Sequence, residues 1–198
     1  MPVNYTNHKG VAYTLYQGKT KTGKPRYYFG RADQRHDDDP VTELPAGYVI
    51  SESVNSVVSL VKNRPSSISP EDVAAIHTAL QKHPQTHHYR VAVKHNRIEV
   101  YELVGPDYNE IFGMLHEGSK PSTALARELQ AVEERHAQYS PVLRFTLIDP
   151  AQRLFAVERM CYLGSIDGWL ELGQTGPMKK LASALIPALG TDDFYDLI

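Results

Sequence analysis

Apolar and polar residues alternate with a period of two through much of this chain, and only a few stretches change to the helical period. The runs Tyr13-Thr14-Leu15-Tyr16-Gln17 and Arg26-Tyr27-Tyr28-Phe29 are rich in strand formers. Gly18 and the Gly23-Lys24-Pro25 breaker lie between them, which predicts a β-hairpin. Alternation puts Tyr27, Phe29 and Arg31 on one face of it and Arg26 and Tyr28 on the other. The polar run from Arg35 to Pro40 reads as an exposed loop. Residues 48–51 and 57–61 are a third and a fourth strand, joined by a turn at Asn55-Ser56 or by a short helix from Glu52.

Ser69-Pro70-Glu71-Asp72 then opens a helix, with a serine cap, an early proline and acids near the positive end of the helix dipole. Its apolar positions are Val73, Ile76 and Leu80, with His77 beside them as a core histidine. Pro84 stops it. Tyr89, Val91 and Val93 alternate against Arg90, Ala92 and Lys94, and Ile98 and Val100 against Arg97, Glu99 and Tyr101. A turn at His95-Asn96 pairs Val93 with Ile98, Val91 with Val100 and Lys94 with Arg97.

Residues 104–122 hold glycine and proline at both ends and no clear period. Leu125, Leu129, Val132 and His136 fit one side of a helix that Pro141 ends. Strands follow at 143–147, 154–162 and 169–172. A final clear helix starts at Pro177 and buries Met178, Leu181, Ala182 and Leu185. In the last eight residues the mixture of acids with Phe194 and Tyr195 reads as a short helix capped by Thr191 or Asp192.

Hairpins imply antiparallel pairing, so the fold class is α+β: antiparallel β-hairpins with a few packed helices, in two small subdomains or, alternatively, a single domain with a long insert. The expected division is a hairpin-rich unit over 1–105, a connection over 106–120 and an α-βββ-α unit over 121–198.

Charge changes the picture at one place. In a chain of 198 residues with formal charge −2, the first 35 residues carry Lys9, Lys19, Lys21, Lys24, Arg26, Arg31 and Arg35 against Asp33 alone. Cations exceed anions over 1–105, and anions exceed cations over 106–198. A basic turn between tyrosine-rich strands is the footprint of a surface for nucleic acid. The candidate binding residues are Lys19, Lys21, Lys24, Arg26, Tyr28 and Arg31, with Lys94 and Arg97 extending the face. Lysines would contact phosphates while Tyr16, Tyr27 or Tyr28 stack on bases. The triplet Phe29-Gly30-Arg31 resembles the signature of nucleic-acid-binding WGR domains over three residues, lacks the tryptophan, and assigns no family.

Other chemistry finds little support in the sequence. His83, His87, His88 and His95 cluster, yet Pro84 breaks helical spacing between His83 and His87 and no HExxH pattern occurs. Glu158 beside Asp149 is the nearest approach to a metal-dependent nuclease site, but Arg159 follows it where an E-x-K pattern is expected. Cys161, the single cysteine, reads as a buried strand thiol. Walker, dinucleotide and G-x-S-x-G motifs are missing, and no cofactor or metal is expected. No apolar run approaches the roughly 20 residues of a membrane span, so no membrane partner is expected and the protein reads as cytoplasmic.

The sequence therefore predicts a non-enzymatic nucleic-acid-binding or nucleoprotein-accessory module. Two alternatives stand beside it. One is a protein-interaction module docking through the acidic C-terminal half. The other is an atypical metal-dependent nuclease dependent on Glu158.

Overall fold

The computed structural model describes residues 1–105, 135–163 and 166–196. Antiparallel sheets and a few short helices make it an α+β protein. Among the described residues, 1–63 group with 105 and 135–138, and 64–104 with 139–163 and 166–196.

In the first unit β2 (Ala12–Lys19) is the central strand. It pairs along one edge with β3 (Pro25–Arg31), and on the other with β1 (Asn4–Thr6) and the two-residue β4 (Asp39–Pro40). A separate hairpin joins β5 (Tyr48–Glu52) to β6 (Val58–Lys62). Leu15 is fully buried opposite Phe29, and Val58 is buried too. Polar contacts do much of the rest. Asn7 is buried; its amide donates to the Ser56 carbonyl at 2.9 Å and its Oδ1 accepts from the Val11 amide at 2.8 Å. Tyr5 donates to Glu52 at 2.8 Å, and His8 pairs with the same carboxylate. Among its described residues few apolar side chains are buried, and satisfied polar groups such as these help to fix one arrangement.

The second unit is built on one sheet of five strands. These are β7 (Tyr89–Lys94), β8 (Arg97–Val104), β9 (Gln138–Asp149), β10 (Leu154–Leu163) and β11 (Ile166–Pro177), in the order β11-β10-β9-β8-β7. Helices α1 (Pro70–Gln81) and α2 (Met178–Leu185) pack on each other and on this sheet. The first starts in a reciprocal capping box: Ser69 Oγ accepts from the Asp72 amide, and the Asp72 carboxylate accepts from the Ser69 amide at 2.9 Å. Arg153 holds that carboxylate as well. Ile76, Leu80, Leu181 and Leu185 meet Ile98, Val100, Leu143, Phe145, Phe155 and Val157 in a continuous core. A 3-10 turn (Ile186–Ala188) leads to α3 (Asp192–Tyr195), which starts after Thr191 and buries Phe194.

The β7–β8 register joins Val93 to Ile98, Val91 to Val100 and Lys94 to Arg97, as the alternation predicts. Three differences have physical causes. Val93 is 46% exposed, because it lies beside the turn on the outermost strand. The last strand runs from Ile166 to Pro177, well beyond 169–172. Gly173, at φ +63°, sits where the β10–β11 register shifts, and glycines within a strand weaken its sequence signal. Strand β9 begins before Pro141, which lies beyond the last β9–β10 pair, Leu143 with Arg159. Strands β7 and β8, expected with the N-terminal hairpins, share the sheet of β9–β11. The connection at 106–120 and most of the helix at 125–136 lie outside the described residues. No described helix is long and apolar enough to cross a membrane.

Candidate functional site

Strands β2 and β3 stay paired to their ends, Lys19 opposite Pro25 and Gly18 opposite Arg26. Thr20 organises the turn between them. Its amide donates to the Lys24 carbonyl at 2.8 Å, its carbonyl accepts from the Gly23 amide at 2.9 Å, and its Oγ1 accepts from the Lys24 amide at 3.0 Å. Gly23 has φ +79°, a conformation that only glycine adopts without strain. A turn tied in this way leaves Lys19, Lys21 and Lys24 no inward direction, and all three are exposed. Among the described residues none of them is paired with a carboxylate.

The two hairpin faces differ. Tyr27, Phe29 and Arg31 share the face of buried Leu15, with Arg31 itself exposed at its end. On the other face the rings of Tyr16 and Tyr28 stack with centroids 5.8 Å apart, and the Arg26 guanidinium lies 5.9 Å from the Tyr28 centroid. Residues after β3 return across this face. His36 sits 4.5 Å from the Tyr16 ring, and Tyr28 donates to Asp38 at 2.8 Å. That hydrogen bond, chiefly, raises the Tyr28 pKa above the ordinary phenol value. The run from Arg35 to Pro40 is thus exposed, apart from half-buried His36, and yet seated on the sheet.

Lys94 and Arg97 lie in the second unit and are both held by Glu99, at 2.6 and 2.8 Å. Tyr101 donates to the same carboxylate at 2.7 Å. Glu99 is 3% exposed. Burial alone would raise its pKa; the hydrogen bonds from Lys94 and Tyr101 and the charges of Lys94 and Arg97 outweigh it and hold the carboxyl below its ordinary 4.5. A depressed carboxyl binds fewer protons folded than unfolded. Its contribution to stability is therefore complete above pH 4.5 and is lost as the pH falls through the lower, folded value. Unfolding free energies measured across the acid range are expected to fall more steeply for the wild type than for Glu99→Gln.

The remaining candidates have structural employment. His83 is buried, its Nε2–H donating to the Leu189 carbonyl at 3.1 Å while Nδ1 accepts from the Gln85 amide at 3.2 Å. His77 is exposed, so the core histidine of this region is His83. Glu158 accepts from Arg144 Nε at 2.7 Å and from Arg144 Nη2, and Trp169 lies under that guanidinium, 4.2 Å from its centroid. Cys161 is buried. Among the described residues no group of His, Cys, Asp and Glu could hold a metal ion.

Sequence patterns do not reveal the part that His36 and Asp38 play at this surface. Gly18 and Gly30 are the available signal, since glycine inside a strand marks a close approach by another group. No known protein family, curated protein or solved structure matches the chain.

Proposed function

We propose that this protein is a non-enzymatic nucleic-acid-binding or nucleoprotein-accessory module that captures phosphates with the tip of its β2–β3 hairpin. The observation that supports the reading is the tied turn, which holds Lys19, Lys21 and Lys24 exposed and, among the described residues, unpaired with carboxylates. Ordering costs at the backbone are already met in such a turn, so phosphate contacts are opposed mainly by lysine side-chain entropy. Arg26 and Arg31 carry the positive surface down opposite faces of the hairpin. Lys94 and Arg97 are left out, because both are already engaged by the Glu99 carboxylate. The reading treats the two units as separate modules and the setting as cytoplasmic.

Docking of a basic partner through an acidic surface has weaker support. The groove of about 650 Å³ between α1 and α2 is edged by Lys82, Lys179 and Arg153 against Glu71 and Asp72, so it offers no excess of negative charge.

Fluorescence anisotropy with labelled single- and double-stranded oligonucleotides across a salt series tests the proposal. Lys19→Glu/Lys21→Glu/Lys24→Glu is expected to flatten the slope of log K against log salt by about two to three, as loss of three phosphate contacts requires. Wild-type protein that binds no oligonucleotide even at low salt would overturn it.

A further inference from the structure

The segment between β3 and β4 crosses the Tyr16–Tyr28 face as a strap. It leaves β3 at Arg31, where the Arg31 carbonyl accepts from His36 Nε2–H at 3.1 Å. It then lays the imidazole against Tyr16 and passes Asp38 to the Tyr28 hydroxyl. Asp39 and Pro40 finally pair with Gln17 and Tyr16 on the far edge of β2. The sheet is shaped for this passage. A Cβ at Gly30 would run into the His36 imidazole, and one at Gly18 would run into the Asp38 carboxylate. Neither glycine has a positive φ, so the backbone itself does not demand glycine at either place.

The chemistry of the strap is that of a short anionic strand with a planar ring. A tilted imidazole rests against a tyrosine, and the Asp38 carboxylate reaches the Tyr28 hydroxyl on a face that carries Arg26, with Asp37 and Asp39 on either side of it in the chain. A nucleic acid offers the same two elements, a flat heterocycle and a chain of negative charge. We infer that residues 32–38 are an intrachain occupant of a base-stacking face formed by Tyr16 and Tyr28, which a single-stranded nucleic acid enters by displacing His36 and Asp38. This rests on the phosphate-capture reading and adds to it a second contact surface and its control. In the strapped state the lysine tip alone engages phosphates. Displacement adds base stacking beside it.

The experiment compares full-length wild type, His36→Ala/Asp38→Ala and Gly30→Ala. Nitration of Tyr16 and Tyr28 by tetranitromethane, mapped on peptides, reports the strap without any nucleic acid. Anisotropy with labelled oligothymidylate reports binding. Gly30→Ala keeps every charge, which separates strap opening from the loss of the Asp38 carboxylate. Both variants are expected to be nitrated several-fold more at Tyr16 and Tyr28, and to bind oligothymidylate about tenfold tighter, as one or two stacked bases allow. Unchanged nitration in both variants overturns the inference. So does greater nitration without tighter binding, while the wild type still binds through its lysines. Binding by none of the three forms overturns the phosphate-capture reading and this inference together.

Discussion

Phe145→Ala is expected to lower the unfolding free energy by about 3–5 kcal/mol, the range for an aromatic ring removed from a closed core. Phe145 has no exposed surface, stands on the middle strand of a five-stranded sheet, and faces a core completed by α1 and α2. Its register partner Val157 and the neighbouring Leu143 and Leu147 on the same strand face are also buried. The residual cavity is therefore walled by sheet and helices that cannot collapse together, and the cavity cost adds to the transfer cost. For a unit of about a hundred residues this corresponds to a fall in melting temperature of more than about 10 °C. Urea unfolding with near-ultraviolet detection measures it. Ile148→Ala, half-exposed three positions away, is the matched control and should change stability by no more than about 0.5 kcal/mol.

Such positions are legible because strand alternation and helix period are local properties. Leu143, Phe145 and Leu147 alternate in the sequence as they do in the sheet, and the helical spacing of Met178, Leu181, Ala182 and Leu185 by itself marks the buried side of α2. The helix start at Ser69 is equally local, since the cap and its partner are three residues apart. The lysine tip belongs here too: Thr20, Gly23 and Lys24 close their turn with bonds that span at most four residues.

What escaped the sequence depends on distant partners. His77 stands near Val73 and Ile76 in the helical period, yet the buried line of α1 runs through Asp72, Ile76 and Leu80 and leaves it outside. Buried His83 donates its hydrogen bond to the carbonyl of Leu189, 106 residues away. Glu99 was closer to view. It shares a strand face with Arg97 and Tyr101, and alternation alone places the three together. At the hairpin, Gly18 and Gly30 announce that something approaches, but not that it is Asp38 and His36. The fold was thus legible where periodicity rules. The surface was legible in its charges but not in what covers its rings.

Breaking the Arg144–Glu158 pair is the second large effect expected, and it also bears on the nuclease alternative. The two side chains are only 17% and 18% exposed, and the guanidinium is bound along one edge by the carboxylate while it lies over the Trp169 ring. Thr146 Oγ1 lies 3.4 Å from the same carboxylate. Glu158→Ala takes the carboxylate from a poorly hydrated cation and leaves it against the Trp169 ring, at a cost of about 2–4 kcal/mol. Arg144→Ala strands the carboxylate at a similar cost. Because each single change removes the same interaction, the double variant is expected to cost less than the sum, by about 1–3 kcal/mol. Arg144→Met/Glu158→Leu should recover most of the wild-type stability, since replacing both charges removes the desolvation penalty with the attraction. The same occupancy predicts the response to metal. Carboxylate oxygens engaged by a two-point guanidinium bridge are poor ligands for Mg²⁺, which dehydrates reluctantly and demands near-octahedral oxygen donors. Millimolar Mg²⁺ is therefore expected to leave the thermal midpoints of wild type and Glu158→Gln unmoved. A wild-type midpoint that rises with Mg²⁺, and does so only while Glu158 is present, would return Glu158 to the role of a metal ligand.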